Sequence, residues 1–294
     1  MRKYFVILVL ALCSVGTLKG QTASDSLAIV SAQWEIIHAQ KGIIHKSASI
    51  PQLYQCPQVI NLIEIDPGKG MKAGIAISDG MKKTSRIASE HHALAAINGS
   101  YFDMKHGNSV CFLKTDRQVI DTTTINEFKL RVTGAVYERK GKMKLIPWNR
   151  QIEKKYKRKV GTILASGPLL LKDGRVCDWS LCGKDFVQNK HPRSAVCMTK
   201  DGKILLVTVN GRFPGRAEGG NIPGLVAECV KCRERAHLLR ILGGKDALNL
   251  DGGGSTTLWL SGAPENGVVN YPCDNKRFDH AGERGVPNII YVYE

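Results

Sequence analysis

Three consecutive glycines, Gly252-Gly253-Gly254, sit between two short apolar runs, 247–250 and 256–260. Glycine gives up more conformational entropy on folding than any other residue, so a triplet demands a backbone reason. Either the turn is too tight or something approaches too closely for a side chain. Asp251 precedes the triplet and Ser255 follows it. Consecutive backbone amides beside a carboxylate and a hydroxyl can form an anion-binding nest, and the bland alternative is a flexible β-turn. A Walker loop and a dinucleotide fingerprint are both excluded, because the lysine and the following helix are missing.

Around this turn the chain reads as short strands joined by turn residues. Runs at 34–44 and 59–65 end at Asp66-Pro67-Gly68. A helix is predicted from Thr84 to His92, and a buried strand over 93–97 then delivers Asn98-Gly99. Hairpins are predicted about Asp116-Arg117, about Lys140-Gly141-Lys142 and about Asp201-Gly202. Further strands fall at 161–166, 169–171, 247–250, 256–260 and 286–293. One long amphipathic helix is predicted from Pro223 to Leu242, with Leu225, Val226, Cys229, Cys232, Ala236, Leu239 and Ile241 on one face. Pro223 suits its first turn and Gly243-Gly244 its end. The fold class is therefore α+β, mainly antiparallel sheet with few helices and this one long helix packed on it.

Residues 1–20 carry Arg2 and Lys3, an apolar run from Phe5 to Leu12 and small residues beyond, the pattern of a signal peptide. Export to the periplasm or secretion is the expected destination. Cys13 offers a less well matched lipid-attachment site, since Leu12 is large for the residue before a lipidated cysteine. The apolar run is too short for a membrane span, and no later stretch reaches the length required. We read residues 21–58 as an N-terminal lead-in and 59–294 as one catalytic domain.

The formal charge is +16, or +13 without Arg2, Lys3 and Lys19, with a dense run at Lys154-Lys155-Tyr156-Lys157-Arg158-Lys159. Such an excess attracts anions at long range. Phosphoglycan or another anionic carbohydrate fits an exported chain, whereas nucleic acid is disfavoured because no helix-turn-helix, zinc-finger or RNA-binding sheet signature appears. Eight cysteines follow residue 20, and Cys177 with Cys182, flanking Trp179, is the best matched pair. Cys229 and Cys232 lack the second pair of a structural zinc site and read as small packing residues. His91, His92, His106, His191 and His280 show no metal-ligand spacing, so neither a metal nor another cofactor is expected.

Other polar residues stand at strand ends: Asn98, Arg193 after His191-Pro192, and Asn210-Gly211-Arg212. A guanidinium matches two phosphate oxygens with paired donors, which makes Arg193 a candidate clamp as well as an ordinary salt-bridge residue. Glu228 lies inside the predicted long helix beside apolar neighbours, where the ordinary reading is a boundary residue with a local partner.

Taken in order, Ala96-Ile97-Asn98-Gly99-Ser100-Tyr101-Phe102, Ser166-Gly167-Pro168-Leu169-Leu170, Pro192-Arg193-Ser194-Ala195-Val196, the segment with Glu228, 249–257 and Glu283-Arg284-Gly285-Val286 resemble the phosphodiester glycosidases. The resemblance covers roughly residues 59–294, and its most specific element is the glycine turn. It implies cleavage of a sugar-1-phosphodiester at the anomeric C–O bond, with N-acetylglucosamine as one such sugar. By that resemblance Asp251 and Glu228 are the catalytic carboxylates, nucleophile or base for water. Asn98, Arg193, Gly252, Gly253, Gly254, Ser255 and Arg284 hold sugar or phosphate. The non-catalytic alternative is an anionic-glycan-binding or exopolysaccharide assembly protein. The chain departs from the family pattern at Ser100-Tyr101, Cys197, Asn210 and Cys273.

Overall fold

The computed structural model describes residues 25–116, 118–226 and 238–294. The expected signal segment 1–20 with Cys13, and the candidates Glu228, Cys229 and Cys232, lie outside the described residues. Among those that are described, every strand pair is antiparallel. The α+β reading, dominated by antiparallel sheet, holds.

The strands form three sheets of eight, five and four. At the centre of the largest, the strand Arg193–Thr199 lies between Ile204–Val209 and Gly244–Asn249. These strands are buried almost throughout because both faces are covered, so the in-out alternation of a half-exposed strand is absent. The four-stranded sheet runs Leu258–Leu260, Ala95–Asn98, Gly285–Tyr293, Lys72–Lys83, and the five-stranded sheet is centred on Thr162–Ser166. One apolar cluster takes Ile63, Val196 and Leu248 from the first sheet, Ile97 and Ile290 from the second, and Val136 and Leu164 from the third. The three sheets therefore bury a common core.

Most predicted turns are where their residues place them. Lys140 and Gly141 both adopt positive φ, 53° and 77°, as a tight hairpin between Gly134–Arg139 and Lys142–Pro147 requires. The helix Thr84–Glu90 is also as predicted. Two expectations need correction. The run 34–44 is not one strand: Gly42 at φ 75° folds it into a hairpin between Glu35–Gln40 and Ile43–Leu53. This hairpin extends the eight-stranded sheet beside Cys56–Ile65, so part of the expected lead-in is sheet.

The predicted long helix from Pro223 to Leu242 falls mostly outside the described residues. Its described parts are Ile222–Val226 and Leu238–Ile241, each a single turn or so, and no described helix exceeds seven residues. Leu225, Leu238 and Leu239 do pack against the sheet, and Gly243 at φ 86° closes the end as expected. The second correction is that Cys177 and Cys182 are both free thiols rather than a disulfide.

The strand end at Asn98 joins two sheets. Its fully buried amide donates to the Asp251 carbonyl at 2.7 Å, while its carbonyl oxygen accepts from the Ser194 hydroxyl at 2.7 Å and from the Thr257 N–H at 3.1 Å. One side chain thus ties the four-stranded sheet to both ends of the glycine turn and to the central strand of the large sheet. Asn98→Ala leaves those three groups buried without partners, at about 1–3 kcal/mol each if unrelieved. We expect a loss of about 3–5 kcal/mol in urea unfolding, whereas a surface asparagine replaced in the same way changes stability by less than about 0.5 kcal/mol.

Candidate active site

The glycine turn floors a cleft of about 250 Å³ lined by Tyr101, Arg131, Phe186, His191, Arg193, Arg212, Asp251 and Arg284 together with Pro192 and the three glycines. The strand Gly244–Asn249 delivers Asp251 here, and the antiparallel neighbour delivers Arg193 at its first residue. Four guanidiniums therefore surround one carboxylate.

The glycines serve close approach rather than an amide nest. Gly252 donates its N–H to the Asp251 carboxylate at 2.9 Å, and Gly253 donates to the Pro192 carbonyl at 2.9 Å. Gly254 alone has no protein acceptor for its N–H. A Cβ on Gly252 would stand 2.5 Å from the Pro192 carbonyl oxygen, and one on Gly253 would stand 3.0 Å from the Arg212 guanidinium. On Gly254 it would strike Arg284 and Asp274. Gly253 also holds φ at 62°, where a side chain is strained. All three glycines are thus required for two arginines and a strand to lie against the backbone.

The Asp251 carboxylate, which accepts from the Gly252 N–H, lines the cleft. Burial pushes its pKa up from 3.8 to about 6. The Ser255 hydroxyl, close by but outside hydrogen-bonding geometry, the Arg131 charge, the Gly252 N–H and the Arg284 charge pull in the other direction without prevailing. Desolvation decides the value, which places the group where it can exchange a proton near neutrality.

The arginines differ in what holds them. Arg193 is 2% exposed, and it donates from Nε to the Gly220 carbonyl at 2.9 Å and from Nη2 to the carbonyls of Phe186 and Asn189 at 2.8 and 2.9 Å. Burial with no carboxylate partner lowers its pKa to about 10. Much of its donor set is therefore structural, anchoring the Phe186 segment beside the cleft. Arg131 forms a two-point bond to Glu127 at 2.7 and 3.0 Å and lies over the Tyr101 ring, 3.6 Å from its centroid. Arg284 is paired with Asp274. Arg212 is exposed and has only a long contact, 3.9 Å, to the Cys273 sulfur. Its positive φ of 66° projects it over Gly253. His191 is depressed in pKa by burial and by the nearby Arg193 and Arg212 charges.

Of the residues expected at the site, Asp251, Gly252, Gly253, Gly254, Arg193 and Arg284 line the cleft. Ser255 lies beneath, buried, and Asn98 is fully buried with its amide bonded to Asp251 and Ser194. Arg131 and Phe186 were not anticipated. The spacing of Glu127 and Arg131 on one face of the helix Ile125–Leu130, capped by Thr124, was the available signal for Arg131. Phe186 had none. Among the departures from the family pattern, Tyr101 lines the cleft and Cys273 touches Arg212, but Cys197 is buried in the core away from it. No group of three or more potential metal ligands occurs among the described residues.

No curated protein matches the chain. Among solved structures it is similar to the zebrafish N-acetylglucosamine-1-phosphodiester alpha-N-acetylglucosaminidase catalytic domain auto-inhibited by its pro-peptide, at 20% identity and a TM-score of 0.61, over 90% of this chain and 87% of that one. It is also similar to a hypothetical protein from Synechocystis, at 16% identity and a TM-score of 0.58, over 88% of this chain. The chain spans only 63% of that protein. A putative exported protein from Burkholderia pseudomallei follows, at 14% identity and a TM-score of 0.55, over 81% and 74%. Likeness at such identities establishes a shared fold. The sequence profile of the phosphodiester glycosidase family matches residues 91–293, which span the strand carrying Asn98, the Arg193 strand, the glycine turn and Arg284, and the chain belongs to that family.

Proposed function

We propose that this chain is an exported hydrolase that cleaves a sugar-1-phosphodiester at the anomeric C–O bond, releasing the sugar from a phosphoglycan, with N-acetylglucosamine as the first sugar to try. The observation that carries this reading is one partly desolvated carboxylate, Asp251, within a cleft lined by four arginines. The activity printed for the zebrafish relative supplies the choice of sugar. The signal-peptide pattern of residues 1–20 motivates export, and no helix among the described residues is long and apolar enough to cross a membrane.

The proposed chemistry follows from charge. A departing phosphate monoester carries its own negative charge and needs no protonating acid, unlike the alcohol leaving group of an ordinary glycoside. Arg212, Arg131, Arg284 and the Gly254 N–H stabilise that charge as the C–O bond lengthens. Asp251 takes the proton of the attacking water, a task matched to a pKa of about 6. Asn98 and Arg193 act indirectly, holding the turn and the Phe186 segment. Glu228 lies outside the described residues and is given no step.

Hydrolysis of a sugar-1-phosphodiester in heavy-oxygen water tests the bond assignment. Label in the sugar agrees with C–O cleavage, and label in the phosphate contradicts it. Asp251→Asn should lower kcat by about a thousand-fold. It should also make the protein more stable near neutral pH by about 2–3 kcal/mol, because the raised pKa is a cost of holding a carboxylate in the cleft. That cost is full above the folded pKa of about 6 and disappears below the ordinary value of 3.8, so the gain should shrink on acidification through this window. Denaturant unfolding of both proteins across the window measures it.

The arginines should separate by role. Arg212→Ala is expected to raise KM about ten-fold or more with unfolding unchanged, since no ion pair is lost. Arg193→Ala should instead lower stability by about 2–4 kcal/mol, since the Phe186 and Asn189 carbonyls lose their partner while that of Gly220 keeps the His191 N–H.

A further inference from the structure

The basic run 154–159, noted from the sequence, is not an isolated solvated stretch. It follows the helix Arg150–Tyr156, whose Tyr156 ring meets the Tyr137 ring edge-on at 6.0 Å. Tyr137 pairs across the sheet with Lys144, and Arg139 pairs with Lys142, so the hairpin 139–144 and the run 154–159 share one face of the five-stranded sheet. Lys159 lies over the Tyr156 ring at 4.3 Å. Beneath the run the buried Lys114 ammonium donates to the carbonyls of Lys159 at 2.5 Å and Gly161 at 3.1 Å, and the Tyr137 hydroxyl donates to Val160 at 2.8 Å. The backbone of an exposed cationic segment is thereby pinned in place.

Charge on this face is uncompensated. Among the described residues, none of the basic side chains of the hairpin 139–144 or of the run 154–159 takes part in an ion pair. The two carboxylates close by in sequence are turned elsewhere. Glu138 accepts from the Gly141 N–H at 2.8 Å, and the buried Glu153 accepts from the Trp148 indole at 3.1 Å and the Thr123 N–H at 3.3 Å. Nine positive charges, those of the lysines and arginines at 139, 140, 142, 144, 154, 155, 157, 158 and 159, thus face solvent together. Holding so many like charges side by side is unfavourable unless a polyanion relieves it.

The face also connects to the cleft. A groove of about 380 Å³ contains Phe128, Lys129, Val132, Trp148 and Arg150, and it shares the segment 128–133 with the cleft residue Arg131. Arg150 begins the helix that leads into the basic run. Lys129 and Arg150 are the cations of this groove, among the apolar side chains of Ile125, Phe128, Val132, Trp148 and Leu181.

We infer that this face binds a polymer with repeated backbone phosphodiesters, and that it does so as an extension of the cleft, so that the enzyme acts on a chain rather than on a lone glycosyl phosphate. The inference rests on the reading of the cleft given above. Two other polyanions fit less well. A single-stranded nucleic acid needs an open aromatic face for its bases, whereas Tyr137 and Tyr156 pack on each other and Trp148 is buried. A membrane surface needs apolar anchors within the charged face, whereas Val160 alone adjoins the run and the exposed Ile125 and Leu181 belong to the groove beyond Arg150.

Binding of synthetic poly(glycerol phosphate) to the full chain, measured by calorimetry at low and high salt, tests the proposal without requiring hydrolysis. Reversal of the exposed patch with Lys154→Glu, Lys155→Glu, Lys157→Glu and Arg158→Glu should weaken binding by at least about ten-fold and abolish most of its salt dependence. The milder set with Gln at the same positions should give a smaller loss in the same direction. Turnover of a single-unit sugar-1-phosphodiester should be unchanged in both. Equal polymer binding by wild type and both variants would overturn the proposal. So would variants that lose binding to phosphatidylglycerol vesicles or to single-stranded DNA while keeping the polymer. Loss of polymer binding with no wild-type turnover of the small diester would uphold this surface and refute the catalytic reading instead.

Discussion

Three hydrogen bonds at one buried amide set the geometry on which the cleft depends. Asn98 ends a strand of the four-stranded sheet, yet its donors and acceptor go to the Asp251 carbonyl, the Ser194 hydroxyl and the Thr257 N–H. Those three groups belong to the glycine turn and to the strand beginning at Arg193. Inside a dry core each unmet polar group is costly, so the position of Asp251 relative to Arg193 is over-determined. A carboxylate held in this way cannot move toward water to lower its own energy, and its raised pKa is the consequence.

Cations then make the strained carboxylate useful. Removing three side chains at Gly252, Gly253 and Gly254 lets Arg212 and Arg284 lie directly on the turn. The charges are not equivalent. Arg131 and Arg284 are already balanced by Glu127 and Asp274, and Arg193 is satisfied by backbone carbonyls. Only Arg212 stands without a carboxylate or carbonyl partner among the described residues, which makes it the group with most to gain from an incoming phosphate. The cleft thus combines a rigid cationic frame with one adaptable donor.

Much of this was legible in the residues. Alternating apolar runs with glycine and aspartate turns specify antiparallel pairs, and the hairpins at 140–141 and 201–202 needed nothing more. The glycine turn was found by its cost alone. What local pattern cannot convey is which sheet a strand joins: Asn98 and Arg193 lie nearly a hundred residues apart in sequence and in different sheets. For the same reason the sequence could not show the bonds of Asn98 to Ser194 and Thr257, since a polar residue at a strand end reads alike whether it faces a cleft or another sheet. Arg131 and Phe186 sit on short helical segments whose only local signals are a cap and a Glu-Arg spacing. Tertiary packing assigns them to the cleft.

The central claim is that Asp251 is a desolvated carboxylate beside a phosphate site. Carbon-13 NMR titration of the Asp251 carboxyl, with and without saturating inorganic phosphate, examines both halves together. The account predicts a pKa near 6 in the free protein and a further rise when the phosphate anion binds, because a second negative charge opposes ionisation. An ordinary value near 3.8 that phosphate leaves unchanged would contradict it.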